Sequence, residues 1–299
     1  MWGNKLLMVR IKTIKQNGRK YYALVHTVRN GHRTSSRTKY LGQEIPDNID
    51  IIIEDFHHDL FMEEFKSQLS TVKQKHQQML KKTPKTAVEK YYEDFIVRFT
   101  YDSNRIEGST LTHRETAQLL LENQAPNRPL NDILEAKSHQ TLFEEMRRYV
   151  VTSGDLHFNL IFEWHHILFK NSRPDIAGEL RTEQVRITGS DFIPPLPVEL
   201  IPLLKEFLQW YHEAKETLHP VELAALVHYK FVCIHPYWDG NGRMSRMLMN
   251  FVLYKHKFPM YNFRNKERTK YYNALARADK NEDPYLFVKY LTHRYVKEA

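Results

Sequence analysis

The sequence predicts a mainly α-helical protein with a small antiparallel β meander at its N-terminal end. Residues 1–45 alternate polar and apolar types through Val9, Ile11 and Thr13, and again through Tyr22, Leu24, His26 and Val28, the period of two that a half-buried strand requires. Asn17-Gly18 and Asn30-Gly31 separate the runs. Asn-Gly favours the two-residue hairpin turn in which both residues take positive φ, so three strands joined by tight turns are expected. After Pro46 the apolar spacing changes to three and four, the helical period. At 299 residues with 41% hydrophobic and 12% aromatic content, the chain has ample material for a packed core and a length that suits about two domains.

The helices follow in order. Phe56, Leu60, Phe61 and Phe65 mark the first, which fades into Lys81-Lys82-Thr83-Pro84-Lys85, a polar joint where proline cannot continue a helix. Tyr91, Tyr92, Phe95, Ile96 and Phe99 mark a second that runs through residues 103–107, with Gly108 suited to its C-terminal cap. Thr112 with Glu115 three residues on is a capping box opening a third, through Leu119 to Leu121. Further helices are expected around residues 133–150, 156–169, 200–212, 271–278 and 284–296. Pro220 fits the first turn of another, whose Leu223, Leu226, Val227, Phe231 and Ile234 form one apolar stripe. The expected organisation is a basic meander over 1–45, a helical linker over 46–88, a core over 89–280 and a C-terminal helix over 281–299.

Charge is unevenly placed. The net charge is +8, and residues 1–45 hold ten basic residues (Lys5, Arg10, Lys12, Lys15, Arg19, Lys20, Arg29, Arg33, Arg37 and Lys39) against Glu44 alone. Such a segment suits nucleic acid or another acidic partner, although Lys and Arg also serve to blunt exposed strand edges. No apolar run approaches the ~18 residues of a membrane span, and Leu6-Leu7-Met8-Val9 is too short for a signal-peptide core. A single cysteine, Cys233, excludes a disulfide framework within the chain and fits a reducing cytoplasm. Beside Ile234 it reads as a small buried hydrophobe. The adjacent pairs His57-His58 and His165-His166 diverge on a helix and lack the spacing of metal ligands; His165 reads as a core residue.

The chemically loaded stretch is His235-Pro236-Tyr237-Trp238-Asp239-Gly240-Asn241-Gly242-Arg243-Met244-Ser245-Arg246. Proline disfavours the α conformation in the residue before it, so His235 should leave the helix end with its ring directed into a cleft. Asp239-Gly240-Asn241-Gly242 reads as a tight turn whose glycines permit positive φ. Arg243 then opens a helix that packs Met247, Leu248, Phe251 and Val252 inward, so the turn amides and the positive end of the helix dipole face one point. Arg243 and Arg246 share a face of that helix. Converging amides, two arginines and one carboxylate suit a polyphosphate with a divalent metal, which leaves His235 as the base.

These residues resemble the signature of the Fic family, His-x-Phe-x-(Asp/Glu)-Gly-Asn-Gly-Arg-x-x-Arg, from which only Tyr237 departs while keeping an aromatic ring. The likeness extends over roughly residues 90 to 280. Gly178-Glu179-Leu180-Arg181, Val185-Arg186-Ile187-Thr188-Gly189-Ser190 and Phe192-Ile193-Pro194-Pro195-Leu196-Pro197 resemble the β-hairpin flap that precedes the family motif. Ser103-Asn104-Arg105-Ile106-Glu107-Gly108 resembles the Ser/Thr-x-x-x-Glu-Gly/Asn pattern of members that carry an inhibitory helix before the core.

The resemblance implies a Fic-type helical core and protein adenylyl transfer: a hydroxyl of a target protein attacks the α-phosphate of ATP and pyrophosphate leaves. In that scheme His235 is the general base and Asp239 holds Mg²⁺. Gly240, Asn241, Gly242, Arg243 and Arg246 bind the phosphates. Val185, Arg186, Ile187, Thr188 and Gly189 dock the target by strand addition. Ser103 and Glu107 are inhibitory, with Glu107 reaching Arg246, and a reverse removal of the adduct is implied as an accompanying activity. The expected partner is a protein bearing a Ser, Thr or Tyr hydroxyl. A homodimer, and nucleic acid at the basic meander, are further expected partner states; a membrane is not. Transfer of another phosphate-linked group on the same scaffold, or a non-enzymatic nucleic-acid-binding regulator, are the alternatives.

Overall fold

The computed structural model describes residues 9–30, 33–152 and 154–299. It divides into two compact units, Met1–Lys66 and Ser67–Ala299, with the division falling inside the long first helix.

In the first unit three antiparallel strands, β1 (Arg10–Gln16), β2 (Arg19–Asn30) and β3 (Arg33–Gly42), lie in the order β1-β2-β3. The first turn is the expected one: Asn17 and Gly18 have φ of 50° and 74°, the paired positive values of a hairpin turn matched to strand twist. Gly31 of the second Asn-Gly lies outside the described residues. Leu24 packs against Phe56 and Leu60 of α1 (Ile49–Lys82), with Val9, Leu41, Ile49, Ile52 and Ile53 around them. One face of the sheet is thereby closed by the helix.

The second unit is helical. α1 stops at Lys82 and α2 (Lys85–Ile106) starts after Pro84, whose ring pre-sets the φ of a helix start. α2 ends in the manner its glycine implies. Gly108 has φ of 106°, its N–H donates to Arg105 O at 3.2 Å and Ser109 N–H donates to Asn104 O at 3.0 Å, the paired bonds of a Schellman cap. The capping box on α3 (His113–Leu121) is complete: Glu115 N–H donates to Thr112 Oγ1 at 3.2 Å and Thr112 N–H donates to Glu115 Oε2 at 2.8 Å. Then come α4 (Leu130–Val151), α5 (Phe158–Phe169), α6 (Leu200–Ala214), α7 (Pro220–Ile234), α8 (Asn241–Lys255), α9 (Arg268–Lys280) and α10 (Tyr285–Glu298).

α7 is buried almost all round, from Val221 through Tyr229, with Phe231 and Ile234 beyond. A helix apolar on every side belongs at a core centre. α8 packs closely on it, α4 and α2 back α8, and α6 and α10 flank α7. The residues between α7 and α8 are therefore held between two central helices. No helix among the described residues is long and apolar enough to cross a membrane.

Candidate active site

The turn between α7 and α8 forms one wall of a cavity of about 600 Å³. His235, Trp238, Asp239, Gly240, Asn241, Gly242 and Arg246 line that wall, Ile106 and Glu107 stand at the end of α2, residues 187–190 and Phe192 come from the flap, and Tyr271, Tyr272 and Asp279 come from α9.

His235 caps α7 in the left-handed region, φ 49° and ψ 56°. The expected departure from the helix occurs, through a left-handed conformation. Such a conformation costs a non-glycine residue on the order of 1 kcal/mol or more and persists only where neighbours impose it. Arg181 is the restraint. Its Nε donates to His235 O at 2.8 Å, its Nη1 to Glu183 O at 3.0 Å and its Nη2 to Pro195 O at 2.5 Å. Its own N–H donates to Pro236 O at 3.1 Å, beside a bridge between Leu180 and Tyr237. The ring Nδ1 of His235 lies 3.3 Å from Val232 O. That contact fits an Nδ1–H donor and leaves Nε2 as the acceptor. Burial lowers the imidazole pKa, the Val232 carbonyl opposes the shift, and the Arg181 charge adds to it.

Gly240 alone of the two motif glycines has positive φ, at 78°. A Cβ there would stand 2.4 Å from the Phe169 ring and 3.4 Å from His165 Nε2. Gly240→Ala is accordingly expected to cost about 2–4 kcal/mol, from the left-handed backbone and the collision together, measured by denaturant unfolding. Gly242 does not use the positive φ that its type permits and sits inside α8. Its smallness serves another purpose: a Cβ would meet Glu107 Oε1 at 2.5 Å and Arg246 Nη1 at 3.0 Å. The Glu107 carboxylate thus rests against the first turn of α8, where free amides and the helix dipole favour an anion.

Glu107 also reaches Arg246, whose Nη2 donates to Glu107 Oε1 at 2.6 Å and to Ser103 O at 3.1 Å, while Nε donates to Ser103 Oγ at 3.0 Å. The guanidinium is 1% exposed, and Nη1 is buried with no hydrogen-bond partner. Ser103 and Glu107, one turn apart on α2, therefore grip one arginine. Arg243, also buried, pairs with Glu135 of α4 and donates from Nη2 to Asp239 Oδ1 at 3.1 Å. Its charge centre stands 4.7 Å from the Phe169 ring centroid. Asp239 Oδ1 also accepts from Gly240 N–H at 2.5 Å, and the side chain is 44% exposed at the cavity mouth.

The side chain of Asn241, expected at the phosphates, clamps the turn: its Oδ1 accepts from Tyr237 N–H at 2.9 Å and its Nδ2 donates to Tyr237 O at 2.8 Å. Tyr237 is fully buried with its hydroxyl donating to Ile161 O at 3.1 Å. Its ring stacks on His165 with centroids 3.6 Å apart. His165 is more than filler: Nδ1 accepts from Gly178 N–H at 3.0 Å and Nε2 lies 3.1 Å from Asp239 O. It joins the flap base to the motif turn. Cys233 stands half-buried at the cavity wall, 3.5 Å from Asp279 Oδ1. Burial, helped by the Asp279 charge, raises its thiol pKa, so it is a poor nucleophile.

The flap reverses at Thr188 and Gly189, where Ser190 N–H donates to Ile187 O at 3.1 Å. No strand ladder joins its two legs. Gln184 Nε2 to Pro194 O at 2.7 Å and the Arg181 bond to Pro195 O hold them instead. Pro194, Pro195 and Pro197 on the return leg have no N–H to give a ladder. Val185, Arg186 and Ile187 are left without strand pairing.

Among the described residues no three His, Cys, Asp or Glu side chains cluster to hold a metal. Asp239 could supply one oxygen, the number a phosphate-bound Mg²⁺ commonly takes from protein.

Behind the arginines stand buried neutral histidines. Burial and the Arg243 and Arg246 charges lower His139 to about 3, and burial lowers His165 to about 4 and His228 well below its ordinary value. The folded state holds these rings neutral while the unfolded chain protonates them near pH 6.5, so stability is lost as pH falls below about 6.5. With three such groups the loss approaches about 4 kcal/mol per pH unit between pH 6 and 4, read from thermal unfolding across that range.

Comparison with known proteins agrees with this geometry. Residues 155–253 match the model of the Fic/DOC family. The protein adenylyltransferase Fic of Drosophila melanogaster is 35% identical over 184 residues, 61% of this chain and 37% of that protein. Its counterpart from Nematostella vectensis is 36% identical over 203 residues, 66% of this chain and 47% of that protein. The chain thus spans less than half the length of these curated relatives. Among solved structures, a Fic domain containing signaling protein from Bacteroides thetaiotaomicron superimposes with a TM-score of 0.70 at 28% identity, covering 77% of this chain and 92% of that one. Fic-1 from C. elegans shares the fold, with a TM-score of 0.69 at 24% identity over 86% of this chain and 77% of that one. Residues 155–253 thus form a domain that matches the Fic/DOC family model, and the helical core shares its fold with solved Fic structures.

Proposed function

We propose that this chain transfers AMP from ATP to a hydroxyl side chain of a target protein, and that Glu107 holds the reaction off. One observation carries the reading: a half-buried histidine whose pKa burial lowers, a partly exposed carboxylate, a helix N-terminus and a buried arginine line a single cavity. The target hydroxyl oxygen attacks the α-phosphorus, and the bond to the bridging oxygen of the β-phosphate breaks. Pyrophosphate leaves with the electron pair. His235 Nε2 takes the hydroxyl proton. The α8 amides and Arg246 receive phosphate charge. Asp239 would hold Mg²⁺, which supplies charge neutralisation across the phosphates. The unladdered leg at Val185, Arg186 and Ile187 offers backbone groups to an added target strand.

In the inhibited state the Glu107 carboxylate occupies the place of a phosphate against Gly242 and Arg246. The same carboxylate is suited to orienting a water for removal of the adduct, so forward silence and reverse activity share one residue.

Product analysis tests the chemistry. Glu107→Gly protein incubated with ATP, Mg²⁺ and a cell lysate is expected to release pyrophosphate beyond lysate alone; a gain over lysate alone in ADP and phosphate-labelled protein would assign a different transfer. Asp239→Ala is expected to lower turnover by at least tenfold at limiting Mg²⁺ and to raise the Mg²⁺ needed for half-maximal rate. An unchanged Mg²⁺ titration would place the metal elsewhere.

A further inference from the structure

The outer face of the N-terminal sheet carries charges and rings that the cavity chemistry does not use. Register decides which side chains share that face. Leu24 packs on α1, so Ile11 and Lys39, its partners across the strands, belong to the α1 side. The opposite side comprises the rows Arg10, Val25 and Thr38; Lys12, Ala23 and Tyr40; Ile14 and Tyr21; and Gln16 and Arg19. Tyr40 is 74% exposed, and Arg10, Lys12 and Arg19 are exposed.

These cations are uncompensated. Residues 1–43 contain no Asp or Glu, so the sheet cannot neutralise itself. On the α1 side Arg37 pairs with Glu63. Arg10, Lys12 and Arg19 have no acidic partner among the described residues.

We propose that this face binds single-stranded nucleic acid. Uncompensated cations on a flat surface attract a polyanion. A ring in the same row as a cation lets one nucleotide use both, its phosphate on Lys12 and its base stacked on Tyr40, with Tyr21 one row further serving the next base. Duplex DNA is a poorer fit, because base readout in its major groove uses a helix or a two-stranded ribbon and this face presents a third strand. A bilayer surface is poorer still: Ile14 and Val25, the aliphatic side chains of the face, are only partly exposed, which leaves little apolar material to insert.

The test is fluorescence anisotropy of a short labelled oligothymidylate with the full chain, across a KCl series. Binding should weaken with salt at a slope of about −2 in log Kobs against log [KCl], for three phosphate contacts on a single strand. Tyr40→Ala should lose on the order of tenfold in affinity at every salt with the slope unchanged. Lys12→Glu should lose affinity and flatten the slope by about 0.7 or more. Both side chains are exposed, and unchanged thermal melts would show that the fold survives. Absence of binding at low salt, binding indifferent to both substitutions, tighter binding to duplex of equal length, or binding to phosphatidylserine vesicles without binding to the oligonucleotide would each overturn the proposal.

Discussion

His235→Ala is expected to slow label transfer from ATP by about 10²–10⁴ while leaving ATP affinity nearly unchanged. In the proposed reaction the imidazole would contribute at the moment of proton transfer, whereas the phosphates would be held by α8 and Arg246, so removing it would cost transition-state rather than ground-state binding. The ring is set for that step. Arg181 fixes its backbone carbonyl at 2.8 Å, and the Val232 carbonyl occupies Nδ1 at 3.3 Å, which leaves Nε2 to accept. Burial keeps the ring neutral at pH 7 by lowering its pKa. Since the neutral form is the active base, the rate should be flat through neutrality and fall only in acid, with its midpoint below 6.5. Calorimetric ATP titration beside a pH-rate profile checks both halves. Wild-type-like labelling by the variant would remove His235 from the role.

Glu107→Gly is expected to raise labelling at least tenfold. Its carboxylate lies 2.6 Å from Arg246 Nη2 and against Gly242, so a nucleotide that binds while it remains must place its phosphates around a resident negative charge. A reacting phosphorus displaced by about an ångström can cost on the order of a hundredfold. Without the carboxylate, the α8 N-terminus and Arg246 would be free to take the terminal phosphates in the proposed reaction. Ser103 still holds Arg246 through Nε and Nη2, so the arginine should keep its place. The cost is stability, because a buried guanidinium loses its counter-charge; the variant should melt earlier than wild type and recover more on adding ATP. Adding Arg246→Ala to the Glu107→Gly protein should erase the gain.

Much of this site was legible locally. Pro236 ends α7, Gly240 supplies a left-handed turn, Thr112 and Glu115 cap α3, and Asn17-Gly18 turns the first hairpin; each is a backbone requirement satisfied by adjacent residues. The Glu107 contact with Arg246 was legible only through family likeness, since nothing within α2 indicates a partner 139 residues away. Arg181, Glu135 and His165 carried no such signal. Arg181 and His165 act on backbone oxygens of His235 and Asp239, and a carbonyl leaves no mark on sequence. Glu135 is one acid on a helix rich in charge until α4 meets α8 and places it on Arg243. Asn241 and Gly242 were read into the right turn, but the clamp of Asn241 on Tyr237 and the room Gly242 leaves for Glu107 are visible only in the folded chain. The flap lost its expected ladder because its return leg is rich in proline.

The most direct test of the account follows the two ends of ATP separately. Glu107→Gly protein is incubated with lysate and Mg²⁺, once with ATP labelled in the α-phosphate and once with ATP labelled in the γ-phosphate, with wild type alongside. Protein-bound α-label is expected at least tenfold above wild type, with no protein-bound γ-label beyond that of lysate incubated alone. Added γ-label over lysate alone, or equal α-labelling by the two proteins, would contradict AMP transfer held off by Glu107.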